Sequence, residues 1–316
     1  MNNSKGKNCI QALISGISTG ACFIALVGIH IPLAQSQSLN PKSDDVDAVA
    51  QNAGIDAQHP KAIAHSVFQP LDIFELEVAS DPQLSPDGKQ VVYVRRSNDI
   101  MTDSTRSSIW IVDALGESHR PVVSSQKNYY SPRWSPDGKR LAFVSNTEGK
   151  PQLYVRWMDT GQTALVTNVA SPLSSITWAP DSKNIAFTMS VDSDEKPFSV
   201  KMPAKPKGAT WSEPFQYITK ARYQADGRGV LEPAYTHIFV VPSEGGTSRQ
   251  LSSGNFHHSG GLSWSANSQR IYFSANRSIN WEYEPVESDI YSIDLTGTLQ
   301  QITNFPGTEN NPKVSP

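Results

Sequence analysis

Four groups of residues have types and spacings that chemistry can use. Gly16-Ile17-Ser18-Thr19-Gly20 fits the Gly-x-Ser-x-Gly pattern of a nucleophile elbow, which needs a strand before it, a helix after it, and acid and histidine partners further along. This copy lies inside a mostly apolar N-terminal run, so coincidence is the better reading. His257 and His258, taken with His237 and Asp226, offer metal-ligand side chains. No His-Glu-x-x-His or comparable spacing supports them. Neighbouring residues on a strand face opposite sides, and a loop leading into the next repeat accounts for the pair. Asp192-Ser193-Asp194-Glu195 resembles part of a calcium loop but lacks the Gly and the closing Glu, so it reads as a solvated acidic loop. Glu213, Arg222, Tyr223 and Asp226 are the better candidates for substrate binding. A carboxylate and a guanidinium on a loop can clamp the charged end of a peptide, against the plainer reading of solvated loop side chains. These patterns yield no catalytic residue, no metal and no cofactor.

The elements that must position those candidates follow from a repeat. Ser131-Pro132-Arg133-Trp134-Ser135-Pro136-Asp137-Gly138-Lys139 leads into the apolar run Leu141-Ala142-Phe143-Val144. Pro136 presets φ for a tight turn, Asp137 bonds forward to the backbone, and Gly138 accepts a positive φ. The run after the turn has no helical period and suits a strand buried on both faces. Related copies are Leu84-Ser85-Pro86-Asp87-Gly88-Lys89, Trp178-Ala179-Pro180-Asp181-Ser182-Lys183, Trp264-Ser265-Ala266-Asn267-Ser268-Gln269 and the start of a fifth, Lys313-Val314-Ser315-Pro316. The steps from Ser85 to Ser135, Ala179, Ser265 and Ser315 are 50, 44, 86 and 50 residues, against roughly 40–50 for one propeller blade. The expected fold is all-β, a β-propeller of four-stranded blades over residues 67–316. Trp134, Trp178 and Trp264 would each fill the wedge between neighbouring sheets. The step of 86 implies an insertion, about residues 191–235, between the second and third strands of the third blade. Loops of that length that keep their aromatics tend to be functional. Leu71, Phe74 and Leu76 suggest a short helical turn packed on the first blade. The fifth copy stops inside its turn, which predicts a propeller incomplete at the C-terminus and a truncated product.

At 316 residues with 38% hydrophobic and 18% charged content, the chain can bury a large core. Lys5 and Lys7 precede an apolar run from Cys9 to Leu33 and then Ala34-Gln35-Ser36, a small-x-small triplet. That order predicts an export signal over residues 1–36 and a periplasmic or secreted protein. An uncleaved anchor, the one expected membrane contact, is the alternative, although Ser15, Ser18 and Thr19 dilute the run. Cys22 has Thr19 rather than Leu three residues upstream, against a lipoprotein site. Cys9 and Cys22 are the two cysteines of the chain, so a cleaved product has no thiol chemistry. Residues 37–66, rich in Gln, Asn, Asp, Ser and Ala, read as a flexible leader. The formal charge of −3 becomes about −5 once two lysines leave, which argues against nucleic acid as a partner.

Three stretches together resemble the prolyl oligopeptidase family of serine peptidases, in particular its acylaminoacyl-peptidase and dipeptidyl-peptidase-like bacterial members. They are Phe74 to Gly88, Ser107-Ser108-Ile109-Trp110-Ile111-Val112-Asp113, and Tyr223-Gln224-Ala225-Asp226-Gly227 leading to His237-Ile238-Phe239-Val240-Val241-Pro242. The likeness spans about Leu71 to Pro316. It implies a propeller that gates substrate to a C-terminal α/β-hydrolase domain, where that family keeps its Ser, Asp and His. No residue here matches the nucleophile motif in its required context, so no catalytic residue is carried over, and the chain alone is expected to be inactive. In dipeptidyl members, acidic propeller residues bind the free amino end of the substrate, and Glu213 is the candidate for that role. The Ser-Pro-Asp-Gly repeat also occurs in the propeller of the Tol envelope system, so a periplasmic protein-binding scaffold is the alternative function.

Overall fold

The computed structural model describes residues 67–193, 202–212 and 217–315. The expected signal and leader, the Gly16–Gly20 pattern, Asp194-Glu195, Glu213 and Pro316 lie outside them. Among the described residues no helix is long and apolar enough to cross a membrane.

Among the described residues, one 3-10 turn, Pro70–Phe74, precedes four antiparallel sheets of four strands. The first sheet is β1 (Glu77–Leu84), β2 (Gln90–Asp99), β3 (Ser104–Asp113) and β4 (Arg120–Val123). The second is β5 (Tyr129–Trp134), β6 (Arg140–Ser145), β7 (Gln152–Trp157) and β8 (Thr163–Leu165). The third pairs β9 (Leu173–Trp178) and β10 (Asn184–Asp192) with β13 (Ala234–Pro242) and β14 (Arg249–Gln250). Between β10 and β13, β11 (Gln224–Ala225) and β12 (Gly229–Val230) form a small separate hairpin. The fourth is β15 (His258–Trp264), β16 (Arg270–Ala275), β17 (Asp289–Asp294) and β18 (Leu299–Gln301). These are propeller blades in sequence order. After them Val314 N donates to Ser263 Oγ at 3.0 Å and Gly261 N to Asn311 Oδ1 at 3.3 Å, which lays the fifth copy along β15.

Two expectations need correction. The helical turn at Pro70–Phe74 exists, but Leu71 and Leu76 are exposed and Phe74 is half-buried. A polar tie holds it to the blade, Asn98 Nδ2 donating to Ile73 O at 2.8 Å. The innermost strands β1 and β5 also begin several residues earlier than the apolar pattern indicates. Each contains a proline, Pro82 or Pro132, and an adjacent left-handed residue, Asp81 (φ 50°) or Ser131 (φ 53°), where the register slips. An innermost strand has a free edge, so it tolerates a residue without an N–H and a bulge that a central strand would not.

The turns close as their chemistry dictates. Ser85 Oγ donates to Asp87 Oδ1 (2.6 Å) and accepts from Gln90 N (2.9 Å), while Lys89 N donates to Asp87 Oδ1 (3.1 Å). The Ser85 hydroxyl, then the Lys89 amide, hold the Asp87 carboxyl below its usual range. The second turn repeats this with Ser135, Asp137 and Arg140. Gly88 and Gly138 take φ 72° and 70°. Ser182 and Ser268 occupy the same slot in the third and fourth copies with φ 60° and 59°, a cost that L-residues normally avoid. Their hydroxyls offset it by accepting from the preceding blade's turn, Asp137 N to Ser182 Oγ (3.2 Å) and Asp181 N to Ser268 Oγ (3.1 Å).

The core lies in the seams between blades. Leu141 and Phe143 pack with Val92, Ile109 and Ile111 of the first blade, whereas Ala142 and Val144 pack with Ile176, Ile185 and Phe187 of the third. A period of two therefore feeds two cores from one central strand. Trp178 and Trp264 are buried, and their indole N–H groups donate to Arg133 O (3.0 Å) and Thr177 O (3.4 Å) on the preceding innermost strand. Trp134 is half-buried, and its Nε1 has no partner among the described residues.

Candidate functional site

Each central hairpin has its Ser-Asp turn at one end and a loop at the other, so the β10–β13 insertion and the β16–β17 loop share the face opposite the turns. β10 and β13 stay in register from Asn184↔Pro242 to Asp192↔Ala234, so the insertion emerges from a long, stiff ladder. Within it, Leu231 N donates to Tyr223 O (2.8 Å), and the β11–β12 hairpin turns through Asp226-Gly227-Arg228 with Gly227 at φ 70°. Arg222, Tyr223 and Asp226 are exposed on this element. The stretch of the insertion just before this hairpin is fixed to the fourth blade. Glu282, in the β16–β17 loop, accepts from Ala221 N (3.0 Å) and pairs with Lys220 Nζ (3.3 Å).

Beneath that attachment three histidines converge at the seam between the third and fourth blades. His237 comes from β13, and His257 and His258 from the crossover and first residue of β15. His258 is therefore part of the strand, and it is fully buried. Its ring lies 5.2 Å from His237 and 5.6 Å from Phe273, whereas His257 turns to Tyr235 (5.4 Å) and Trp281 (5.6 Å). What joins the histidines is aromatic rings and Arg277. Among the described residues no group of three or more His, Cys, Asp or Glu could hold a metal ion.

The protonation states follow from the bonds. Arg277 Nη1 donates to His258 Nε2 at 2.6 Å, which leaves His258 Nδ1–H to donate to Thr236 O at 3.2 Å. The ring is thus a neutral imidazole. Burial first, then the Arg277 charge, push His258 down to about 3. Burial also lowers His237, helped by His257 and Arg277. His257, exposed on one side and flanked by Tyr235 and Trp281 on the other, is lowered by partial desolvation and then by the Arg222 charge. Of the candidates from the sequence, exposed Arg222 acts on the histidine cluster through its charge alone. Tyr223 and Asp226 stay on the exposed hairpin. Arg277, Trp281 and Glu282 had no signal in the sequence, because they follow the fourth blade's second strand in a loop without a motif.

Comparison with known proteins matches the TolB beta propeller domain family over residues 100–274. The uncharacterized peptidase YuxL of Bacillus subtilis is 32% identical over 206 residues, 65% of this chain and 30% of that protein. Dipeptidyl-peptidase 5 of Porphyromonas gingivalis is 27% identical over 255 residues, 76% of this chain and 36% of its own length. Among solved structures, the uncomplexed Pyrococcus horikoshii acylaminoacyl peptidase aligns with a TM-score of 0.54 at 18% identity, covering 73% of this chain and 33% of that one. The chain thus spans about a third of the length of the curated relatives it matches.

Proposed function

Because the chain belongs to the TolB β-propeller domain family and its curated relatives are peptidases, we propose that it serves as the substrate-gating propeller of an exported serine exopeptidase or oligopeptidase. Residues 1–36 direct it to the periplasm or the exterior. The propeller does not cut peptide bonds; it limits what reaches a hydrolase domain that supplies the Ser, Asp and His. The observation that carries this reading is the match to a dipeptidyl peptidase along three quarters of this chain. The placement of the insertion and the histidine seam on one face supports it, since a gate needs its polar and aromatic groups gathered where peptide passes. Glu213, Arg222, Tyr223 and Asp226 belong to that path, with Glu213 as the acceptor for a peptide amino end.

The test is to read the encoding DNA past the codon for Pro316 in all forward frames. Further blades followed by a strand-flanked Gly-x-Ser-x-Gly are the expected result. Further repeats and a stop would overturn it and leave a protein-binding propeller instead. The purified chain is expected to leave aminoacyl and dipeptidyl chromogenic substrates intact, and hydrolysis by it would contradict the division of labour.

A further inference from the structure

Several blade arginines are matched by carboxylates, whereas Arg120, Arg156 and Arg249 donate to neutral oxygens. Arg95 pairs with Glu77, Arg106 with Asp99, Arg133 with Asp81 and Arg270 with Asp294. Arg277 has no carboxylate either, and it differs in being packed between aromatic rings and a buried histidine. It is half-buried just past β16, with its guanidinium 4.5 Å from the Phe256 ring centroid and 6.0 Å from that of Tyr291. Among the described residues no Asp or Glu lies within ion-pair distance of it. Its recorded hydrogen bond goes to His258, a neutral ring whose other nitrogen is occupied by Thr236 O. The nearby carboxylates are engaged elsewhere: Glu282 by Lys220 and Ala221, Asp289 by Gln301 and Thr303.

A guanidinium carries five N–H donors in a planar fork. Withdrawing such a cation from water without a counter-ion is costly, and the cost is recovered when an anion completes the pair. Here one donor is spent on a buried imidazole that fixes the fork's orientation, and Phe256 flanks it with a ring face. That is a preorganised receptor for a flat, bidentate anion, and the carboxylate is the group of that shape. Arg222 lies close enough to His257 to depress its protonation, so the surroundings add positive charge. The Tyr235 hydroxyl, buried in the same cluster without a partner among the described residues, shows that the seam's polar capacity is not exhausted internally.

We propose that Arg277 binds the carboxylate of a peptide, at its C-terminus or on an Asp or Glu side chain, at the loop face of the seam between the third and fourth blades. That the carboxylate belongs to a peptide rests on the function proposed above; that the site takes a carboxylate does not.

The full chain is titrated calorimetrically with three peptides: acetyl-Ala-Ala-Phe with a free carboxylate, its C-terminal amide, and acetyl-Ala-Glu-Phe amide. At least one carboxylate peptide is expected to bind roughly tenfold or more tighter than the neutral amide. Which one does so identifies the C-terminus or the side chain as the source. Arg277→Gln is expected to level all three, and Arg277→Lys, which keeps the charge but loses the fork, to retain a small part of the preference. Circular dichroism establishes that both variants fold, and if Arg277→Gln does not, Arg277→Lys decides. Equal binding of all three peptides overturns the carboxylate site while leaving the peptide gate intact. Discrimination that stays undiminished in the folded variant, or no binding of any peptide, also overturns it, and the downstream reading frame still judges the proposed function separately.

Discussion

The two ends of the blades are built on different principles. At the turn end, each blade closes a local circuit through an Asp or Asn side chain and the backbone, joined by a serine hydroxyl in all but the third, and Ser182 and Ser268 link one circuit to the one before. Arg140 strengthens the Ser182 link by donating to Ser182 O (2.6 Å) and Ser243 Oγ (2.9 Å) across the seam. At the loop end there is no repeat. His237, His258 and Arg277 come from three different strand ends, and burial holds the two imidazoles neutral. Short-range hydrogen bonds make the first end a fastening. The second combines an unpaired cation, buried imidazoles and an attached insertion, features that cost stability and are kept where they bind something.

Trp178→Ala breaks this contrast most severely if it is wrong. The substitution removes a ring that packs in the seam, donates to Arg133 O and lies 5.1 Å from the Arg140 guanidinium. A loss of about 3–5 kcal/mol is expected in urea unfolding, with peptide affinity of the folded fraction unchanged. A smaller effect belongs to His258. Its pKa falls from 6.5 unfolded to about 3 folded, so the unfolded state binds the proton first. Stability contributed by the neutral ring is present above pH 6.5 and is lost as pH drops toward 3, by about 1 kcal/mol per pH unit. Unfolding midpoints from pH 7 to 4.5 measure the slope, and His258→Asn should flatten it.

How legible each end was follows from the same difference. The turns were readable because Pro136, Asp137 and Gly138 act within a few residues of one another, and the strand run at Leu141–Val144 states its double burial by its composition. The tryptophan series also stood out, although Trp134 is less buried than Trp178 or Trp264. The early starts of β1 and β5 were hidden by prolines that usually end strands. The histidine seam was hidden by distance. His237 and Arg277 are 40 residues apart, and their meeting depends on β13 and β16 lying in adjacent blades. No spacing rule encodes that, so the sequence offered His237, His257 and His258 as a weak metal set without Arg277, the residue that gives them meaning.

The smallest predicted effect sharpens what the turn end is for. Ser135→Ala deletes a buried hydroxyl that accepts from Arg140 N and donates to Asp137, yet the third copy already carries Ala179 in that slot. There, Lys183 N still donates to Asp181 Oδ1 at 3.0 Å and Ser182 N to Ala179 O at 2.9 Å. The circuit therefore closes without the serine, and Ser135→Ala should cost only about 1 kcal/mol. Ser182→Gly should cost less still. It forfeits the acceptor for Asp137 N, but it also relieves a serine held at φ 60°, and these opposing changes are each about 1 kcal/mol. Urea midpoints that move little for Ser182→Gly would identify the link between blades as a replacement for glycine's freedom. A loss above roughly 2 kcal/mol, beyond what one such bond contributes, would instead make that hydroxyl a main fastening between the second and third blades.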